Sequence, residues 1–443
     1  MHKFLTCSKL RIFAVLGLIG AATPQAANAL TLAEAFKASL ASNPTYQAQV
    51  EELRQAEAGV EISRGPLMPQ VDALGTLVIE DKREFDNGTV TTNKPRSASL
   101  RVQQTIYSGG ERMAALRYAE RLRKAAEAGL ARTEQEVLLT TSEAYLDVLL
   151  SERILELNTF QVEVLDKQLE ATRSRFELGE VTRTDVAQAE ARLASAKAAM
   201  VAARGSFIAE RAVFEEVIGL PTEDLSWPAV VSNIPDDMEG LLQRSYAAHP
   251  QVAEAVALLA AEKQAVKREK SGYLPDITAE VSMTRREGGF SSIGNGDSDE
   301  FFAAMQATWP LFAGGATVNS VRQAEARMRQ LDDLYSRARR EVERELTDAF
   351  HSYQSASAEL ISRRESTRAN KVAYDGVKQE TLLGVRTTLD LLDAEEELLQ
   401  ARVDEVTARH DRIISMFRLL AALGSLQRDD IATMWVDDPA ADE

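Results

Sequence analysis

The chain of 443 residues carries 51 Lys and Arg against 68 Asp and Glu, a formal net charge of −17. That acidity excludes an electrostatic hold on nucleic acid. The single cysteine, Cys7, excludes an intrachain disulfide.

The N-terminus reads as a secretory signal peptide over residues 1–29. Lys3, Lys9 and Arg11 form a basic region, Ile12 to Ala22 an apolar core, and Ala27-Asn28-Ala29 a small-residue cleavage site. The apolar run is too short for a membrane anchor. Its removal takes the charge to −20 and leaves no thiol, which rules out a lipid anchor on an N-terminal cysteine. No later run is long enough for a transmembrane helix.

From Leu32 to about Arg64 the apolar spacing is helical, interrupted at Asn43-Pro44 and stopped by Gly65-Pro66 and Pro69. The period then changes to two. Val71, Ala73, Gly75, Leu77 and Ile79 share one face of a strand over about 70–80, with Asp72, Thr76 and Glu80 on the other. A polar loop, Asp81 to Pro95, leads to a second strand over about 97–107. There Ala98, Leu100, Val102 and Ile106 alternate with Ser99, Arg101, Gln103 and Thr105. Gly109-Gly110 then serves as a permissive turn into a proline-free helix over about 111–178, roughly 100 Å long at 1.5 Å per residue. Its thin apolar stripe marks a coiled-coil seam. A glycine turn near 179–185 sends the chain back as a helix over 182–218.

The same order recurs about 205 residues later. Asn43-Pro44 returns as His249-Pro250, Met68-Pro69 as Leu274-Pro275, Gly109-Gly110 as Gly314-Gly315, and Leu178-Gly179 as Leu383-Gly384. The chain therefore divides into a first repeat, 30–224, an inter-repeat segment, 225–240, and a second repeat, 241–424, followed by an acidic tail, 425–443. Strands of the second repeat are expected over about 276–285 and 300–309. Long helices are expected over 316–383 and 387–423, with a tip near 384–393.

Four strands of roughly 10 residues are long enough to cross a bilayer at a tilt. Tyr107, Tyr273, Trp309 and Phe312 stand at the strand ends nearest the helices, where an interfacial aromatic girdle belongs. Asp72, Glu80, Arg101 and Glu280 would be expensive in a dry core and harmless beside water. Four strands cannot close a barrel, and open edges in lipid leave backbone groups unpaired. A spanning sheet therefore requires further copies of the chain. The competing expectation is a soluble periplasmic coiled-coil scaffold carrying two ordinary hairpins.

No catalytic constellation is present in the sequence. His249, His351 and His410 lack metal-ligand spacing, and no phosphate-binding or nucleophile-elbow motif occurs. An enzyme, a cofactor and a metal site are not expected. The two hairpin tips stand out instead. Gly179 and Gly384 can end the incoming helices, Thr182 and Thr387 can cap the outgoing ones, and Asp185 and Asp390 suit the first turn. Capping alone is a sufficient explanation of these residues.

The two repeats, the strand pairs, Leu311-Phe312-Ala313-Gly314-Gly315 at a strand exit, and the tip Val385-Arg386-Thr387-Thr388-Leu389-Asp390-Leu391-Leu392-Asp393 together resemble the TolC family of outer-membrane channel proteins. The resemblance spans essentially the whole mature chain. It implies an α+β membrane protein, a homotrimer whose four strands per chain form a twelve-stranded β-barrel continued by a long α-helical coiled-coil tunnel in the periplasm. An equatorial girdle would be made of Leu225 to Met238 and the acidic tail. It also implies an exit duct for drug efflux, type I protein secretion or both. A periplasmic adaptor and an inner-membrane ABC or proton-driven transporter would open it at the tips, near Gly179 and Gly384.

In that family Asp390 and Asp393 match acids that constrict the periplasmic entrance. Arg386 matches an arginine latched to the first tip, and Thr184 and Asp185 match its partners. Thr381 departs from the pattern, standing where an aromatic hydroxyl is usual. Asp390 and Asp393 fall on one helix face. Three chains would gather six carboxylates, a ring that attracts cations and raises some of its own pKa values.

Overall fold

The computed structural model of the chain describes residues 30–78, 84–86, 89–91, 96–222, 224–228, 237–288 and 297–426. The expected signal peptide, most of the acidic tail, parts of both strand-connecting loops and part of the inter-repeat segment lie outside the described residues.

The first repeat begins with α1 (Leu32–Ser42) and α2 (Pro44–Arg64). Pro44 lacks the N–H that would continue α1, and the Asn43 side chain accepts from the amides of Thr45 and Tyr46 to start α2. The strands are β1 (Gln70–Leu77), the short pair β2 (Glu84–Asp86) and β3 (Thr89–Thr91), and β4 (Arg96–Ser108). Two helices follow, α3 (Glu111–Glu177) and α4 (Arg183–Ile218). The second repeat gives α5 (Met238–Ala248), α6 (Pro250–Ser271), β5 (Asp276–Glu287), β6 (Ser298–Thr308), α7 (Ala316–Leu382) and α8 (Thr388–Ala422). At the second break His249 replaces Asn43, its Nδ1 accepting from the Gln251 amide at 3.3 Å.

Four strands form one antiparallel sheet in the order β1-β4-β5-β6, so each repeat supplies one edge. Register places Val71, Val102, Val281 and Ala303 in one row, and Ala73, Leu100, Met283 and Phe301 in the next. Directly opposed residues share a face, so this side is apolar. The rows from Ile277 to Met283 cover about 20 Å along the strands, at ~3.4 Å per residue, with Gln104 the polar member of this face, opposite Ala279. Beyond them the same face turns charged, with Arg96 bonded to Glu287 at 2.8 Å and Arg285 to Glu287 at 2.9 Å. The other face is mostly polar: Arg101 stands opposite Asp72 in register and bonds Glu280 at 3.0 Å.

One departure from strict alternation follows from a bulge between Thr105 and Tyr107. It removes Ile106 from the register and sets Tyr107 opposite Ile277, on the apolar side. At the helix end of the sheet, exposed Trp309 donates from its indole nitrogen to the Tyr273 carbonyl at 3.0 Å, and Phe312 is also exposed.

Gly109 and Gly110 turn β4 into α3 with φ of 61° and 87°, and Gly314 and Gly315 repeat the joint at 61° and 84°. L-residues rarely adopt two such conformations in succession. Each 67-residue helix then runs roughly 100 Å before turning back. The buried side chains collect in patches rather than one core. The largest patch sits near the middle of the hairpins, where Phe36, Leu138, Tyr145, Leu146, Phe214, Ile218 and Phe417 bring α1, α3, α4 and α8 together. There the Tyr145 hydroxyl donates to Leu30 or Ser226 carbonyl oxygen, each at 2.8 Å, and accepts from the Ser226 amide at 3.1 Å. Leu30 pairs with Leu225 as a parallel bridge. These bonds tie the inter-repeat segment to the hairpins. A second patch, Leu165, Leu169, Ala189, Leu193 and Leu392, packs the hairpins near their tips.

Candidate gate at the hairpin tips

Both tips are built alike. Gly179 and Gly384 each have φ of 78°. The amides of Glu180 and Val385 each close back on a carbonyl of the incoming helix at 2.9 Å, which satisfies groups that the helix end leaves open. The outgoing helices start with capping boxes. Thr182 and Asp185 form one: the Thr182 amide and hydroxyl donate to Asp185 Oδ2 at 2.7 and 2.8 Å. Thr387 and Asp390 form the other, at 2.9 and 2.8 Å. These bonds, foremost that from the Thr387 amide, hold the Asp390 carboxyl below its ordinary range; Asp185 is lowered in the same way by Thr182. Inside one chain the shift therefore runs opposite to the one expected of a ring of acids.

The remaining tip residues are held differently. Arg386 bonds Glu380 across its own turn, Nε to Oε2 at 3.1 Å, and within the chain it does not meet Thr184 or Asp185. The first tip has the mirror arrangement, with Arg175 bonded to Glu180 at 3.2 Å. Asp393 is held by Arg192 of α4 at 2.7 Å, and the same guanidinium also bonds Glu396. Arg192 thus joins the two hairpins just behind the tips. Sequence reasoning passed over it, because its partners lie 201 and 204 residues away and no local pattern connects them. Thr381 is buried, and its hydroxyl donates to the Val377 carbonyl at 2.8 Å. Spent on its own helix, that hydroxyl bonds nothing on the first tip. Leu178, Leu382, Leu383 and Val385 are largely exposed around the turns.

Among the described residues no group of His, Cys, Asp and Glu is placed to hold a metal ion, and no helix is long and apolar enough to cross a membrane. The latter says nothing of the sheet. The tip geometry can form and break ion pairs, and it presents carboxylates and apolar side chains at the end of a long lever.

The sequence profile of a family described as "Outer membrane efflux protein" matches residues 35–219 and 241–425, one match per repeat. "Outer membrane efflux protein BepC" of Brucella suis biovar 1 (strain 1330) is 26% identical over 428 residues, covering 97% of this chain and 92% of that protein. "Outer membrane protein TolC" of Escherichia coli (strain K12) is 22% identical over 422 residues, covering 91% of this chain and 84% of that protein. Among solved structures, the open state of the Neisseria gonorrhoeae MtrE outer membrane channel superposes with a TM-score of 0.77 at 20% identity, covering 90% of each chain. The sheet and hairpins therefore have the fold of an outer-membrane channel, and the soluble scaffold is set aside.

Proposed function

The chain belongs to the outer membrane efflux protein family, and from that premise we propose that three copies assemble into one exit duct gated at its hairpin tips. The chain is an outer-membrane protein whose hairpins stand in the periplasm. The observation that carries the assembly is the four-stranded sheet with two unpaired edges, β1 and β6, apolar on one face. In a bilayer such edges are tolerated only when paired. Three sheets joined edge to edge give twelve strands with no edge left, the apolar face toward lipid and the Arg101 face toward water.

The duct carries cargo without chemistry: drug-like molecules, secreted proteins, or both. An adaptor and an inner-membrane ABC or proton-driven transporter dock at the turns around Gly179 and Gly384. Asp390 and Asp393 of three chains ring the periplasmic entrance and favour cations. Arg386 exchanges Glu380 for Thr184 and Asp185 of the first tip when the entrance latches, and docking reverses that exchange.

Membrane fractionation tests the assembly. Outer-membrane recovery and heat-modifiable trimers on gels are expected; a soluble monomer refutes it. Planar bilayers test the gate. Arg386→Ala should raise single-channel conductance, and Asp390→Asn with Asp393→Asn should weaken cation selectivity. Conductance and selectivity equal to the parent chain would return these residues to helix capping.

A further inference from the structure

Hairpin two meets hairpin one chiefly where α8 lies along α3, and two buried titratable side chains of α8 sit in that seam. Glu395 is 6% exposed and His410 is 7% exposed. Fifteen residues of helix, about 22 Å, separate them.

His410 is bonded on both ring nitrogens. Its Nε2 is 2.7 Å from Asp147 Oδ1 on α3, and its Nδ1 is 3.0 Å from Asp411 Oδ1 on α8. Ionised carboxylates only accept, so serving both requires an N–H on each nitrogen, the imidazolium. Nearby on α3, Glu143 is already bonded to Arg418 at 2.7 Å.

Glu395 has the opposite surroundings. It lines a cavity of about 510 Å³ enclosed by α3, α7 and α8. Among the described residues it has no hydrogen bond or ion pair. Lys167 and Arg175 line the same cavity from α3, Tyr374 and Lys378 from α7, and Arg402 from α8 itself. Arg175 is engaged by Glu180, and Lys378 Nζ lies 5.6 Å over the Tyr374 ring. On the side of α4, Arg192 is engaged by Asp393 and Glu396.

We propose that the α8–α3 seam is a proton-tightened clasp, in which Glu395 and His410 each hold a proton while the hairpins are packed and release it as they part. Both groups act in the same sense. Burial pushes the Glu395 carboxyl up from 4.5 to about 7, with Lys378 offsetting part of the rise. Burial by itself would weaken the hold of His410 on its proton, and the bonds to Asp147 and Asp411 more than restore it, leaving it above 6.5.

A group that binds its proton more tightly in the packed state stabilises that state most below its free pKa. The stabilisation is lost as pH climbs through the raised value. For Glu395 the loss runs from about 4.5 to about 7. For His410 it begins near 6.5 and continues upward. The windows overlap near 6.5 to 7, so packing weakens continuously from acid to mild alkali. The Glu395 share is capped near 300-fold, about ten per pH unit across its window.

Residues 30–443 contain no cysteine, which allows site-directed spin labelling. Glu163→Cys on α3 and Glu397→Cys on α8, both exposed positions, give a distance across the seam. Labelled full-length chains co-expressed with excess unlabelled ones are measured in detergent between pH 5 and 8.5. The packed-to-parted ratio is expected to fall at least tenfold over that range. Glu395→Gln should abolish the lower part of the change, and Asp411→Asn should move the upper part to lower pH. A ratio constant with pH overturns the clasp, as does pH dependence surviving in Glu395→Gln combined with His410→Gln. If that double variant does not fold, Asp411→Asn decides the His410 share: an unmoved upper midpoint overturns it. The distance is read without transport, so a negative result here leaves the duct untouched.

Discussion

Arg192 is the sharpest point at which to perturb the tips. Its guanidinium spans from α4 of the first repeat to Asp393 and Glu396 of the second. The three side chains are 37%, 51% and 61% exposed, so solvent screens both bonds heavily. Pairs of that kind are worth about 0.5 kcal/mol each. Two of them sharing one guanidinium give about 1 kcal/mol, or roughly a fivefold change in the ratio of packed to parted hairpins. Arg192→Ala should therefore raise the open probability of single channels in planar bilayers about fivefold at low salt, and less at 1 M salt, where the Debye length shrinks to ~3 Å. It should also sharpen cation selectivity, because Asp393 loses its neutralising partner. A charge swap, Arg192→Glu with Asp393→Arg, should recover part of the parental gating, and a double-mutant cycle measures the coupling. Arg192→Ala with unchanged gating and selectivity at low salt would refute the reasoning.

Three further outcomes follow from the packing. A Cβ at Gly109 would meet Leu274 Cβ and the Ser271 carbonyl at 2.8 Å, whereas one at Gly314 meets nothing within 4 Å. Gly109→Ala should therefore abolish heat-modifiable trimers on gels, while Gly314→Ala carries only backbone strain of ~1–2 kcal/mol and should retain them. Tyr145→Phe removes a hydroxyl bonded to Leu30 and Ser226; a loss of ~1–3 kcal/mol should appear as faster amide exchange at Ser226, with channel conductance unaffected. Phe214→Ala empties a fully buried site beside Tyr145. It should cost ~3–5 kcal/mol, lowering the thermal midpoint of the assembly.

Much of the fold could be read from the sequence, because its signals are periodic and stated twice. The change from helical spacing to alternation at Val71 marks the sheet, and proline-free runs with thin apolar stripes mark the long hairpins. Glycines at 109–110, 179, 314–315 and 384 mark turns where only a left-handed backbone fits. Ile106 was less legible, since a bulge adds a residue without changing composition. The charged rows of Arg96, Arg285 and Glu287 on the otherwise apolar face depend on register, and an isolated strand does not disclose its register.

At the tips the capping boxes were readable because Thr and Asp stand three residues apart. The ion pairs were not. Arg192 lies inside α4 between Ala191 and Leu193, with nothing in its own helix to mark it, and only the packing of α4 on α8 selects its partners. Arg386 carries no mark that it would turn to Glu380 within its own tip. Glu395 sits in the run Glu395-Glu396-Glu397, which reads as solvated helix face, and only the packing of α3 and α7 around α8 buries the first of the three.

The strand order has a consequence for how many molecules must meet. The joint between β4 and β5, inside one chain, unites the second strand of one hairpin with the first strand of the next. The joint proposed between chains, β6 to β1, is of the same kind. A ring of half-length polypeptides would have to make six such joints between separate molecules. Covalent linkage of the repeats makes three of them unimolecular, at an effective concentration fixed by the tether rather than by expression level. Closure of the ring then falls from a sixth-order to a third-order event in chain concentration, which favours completion at low abundance.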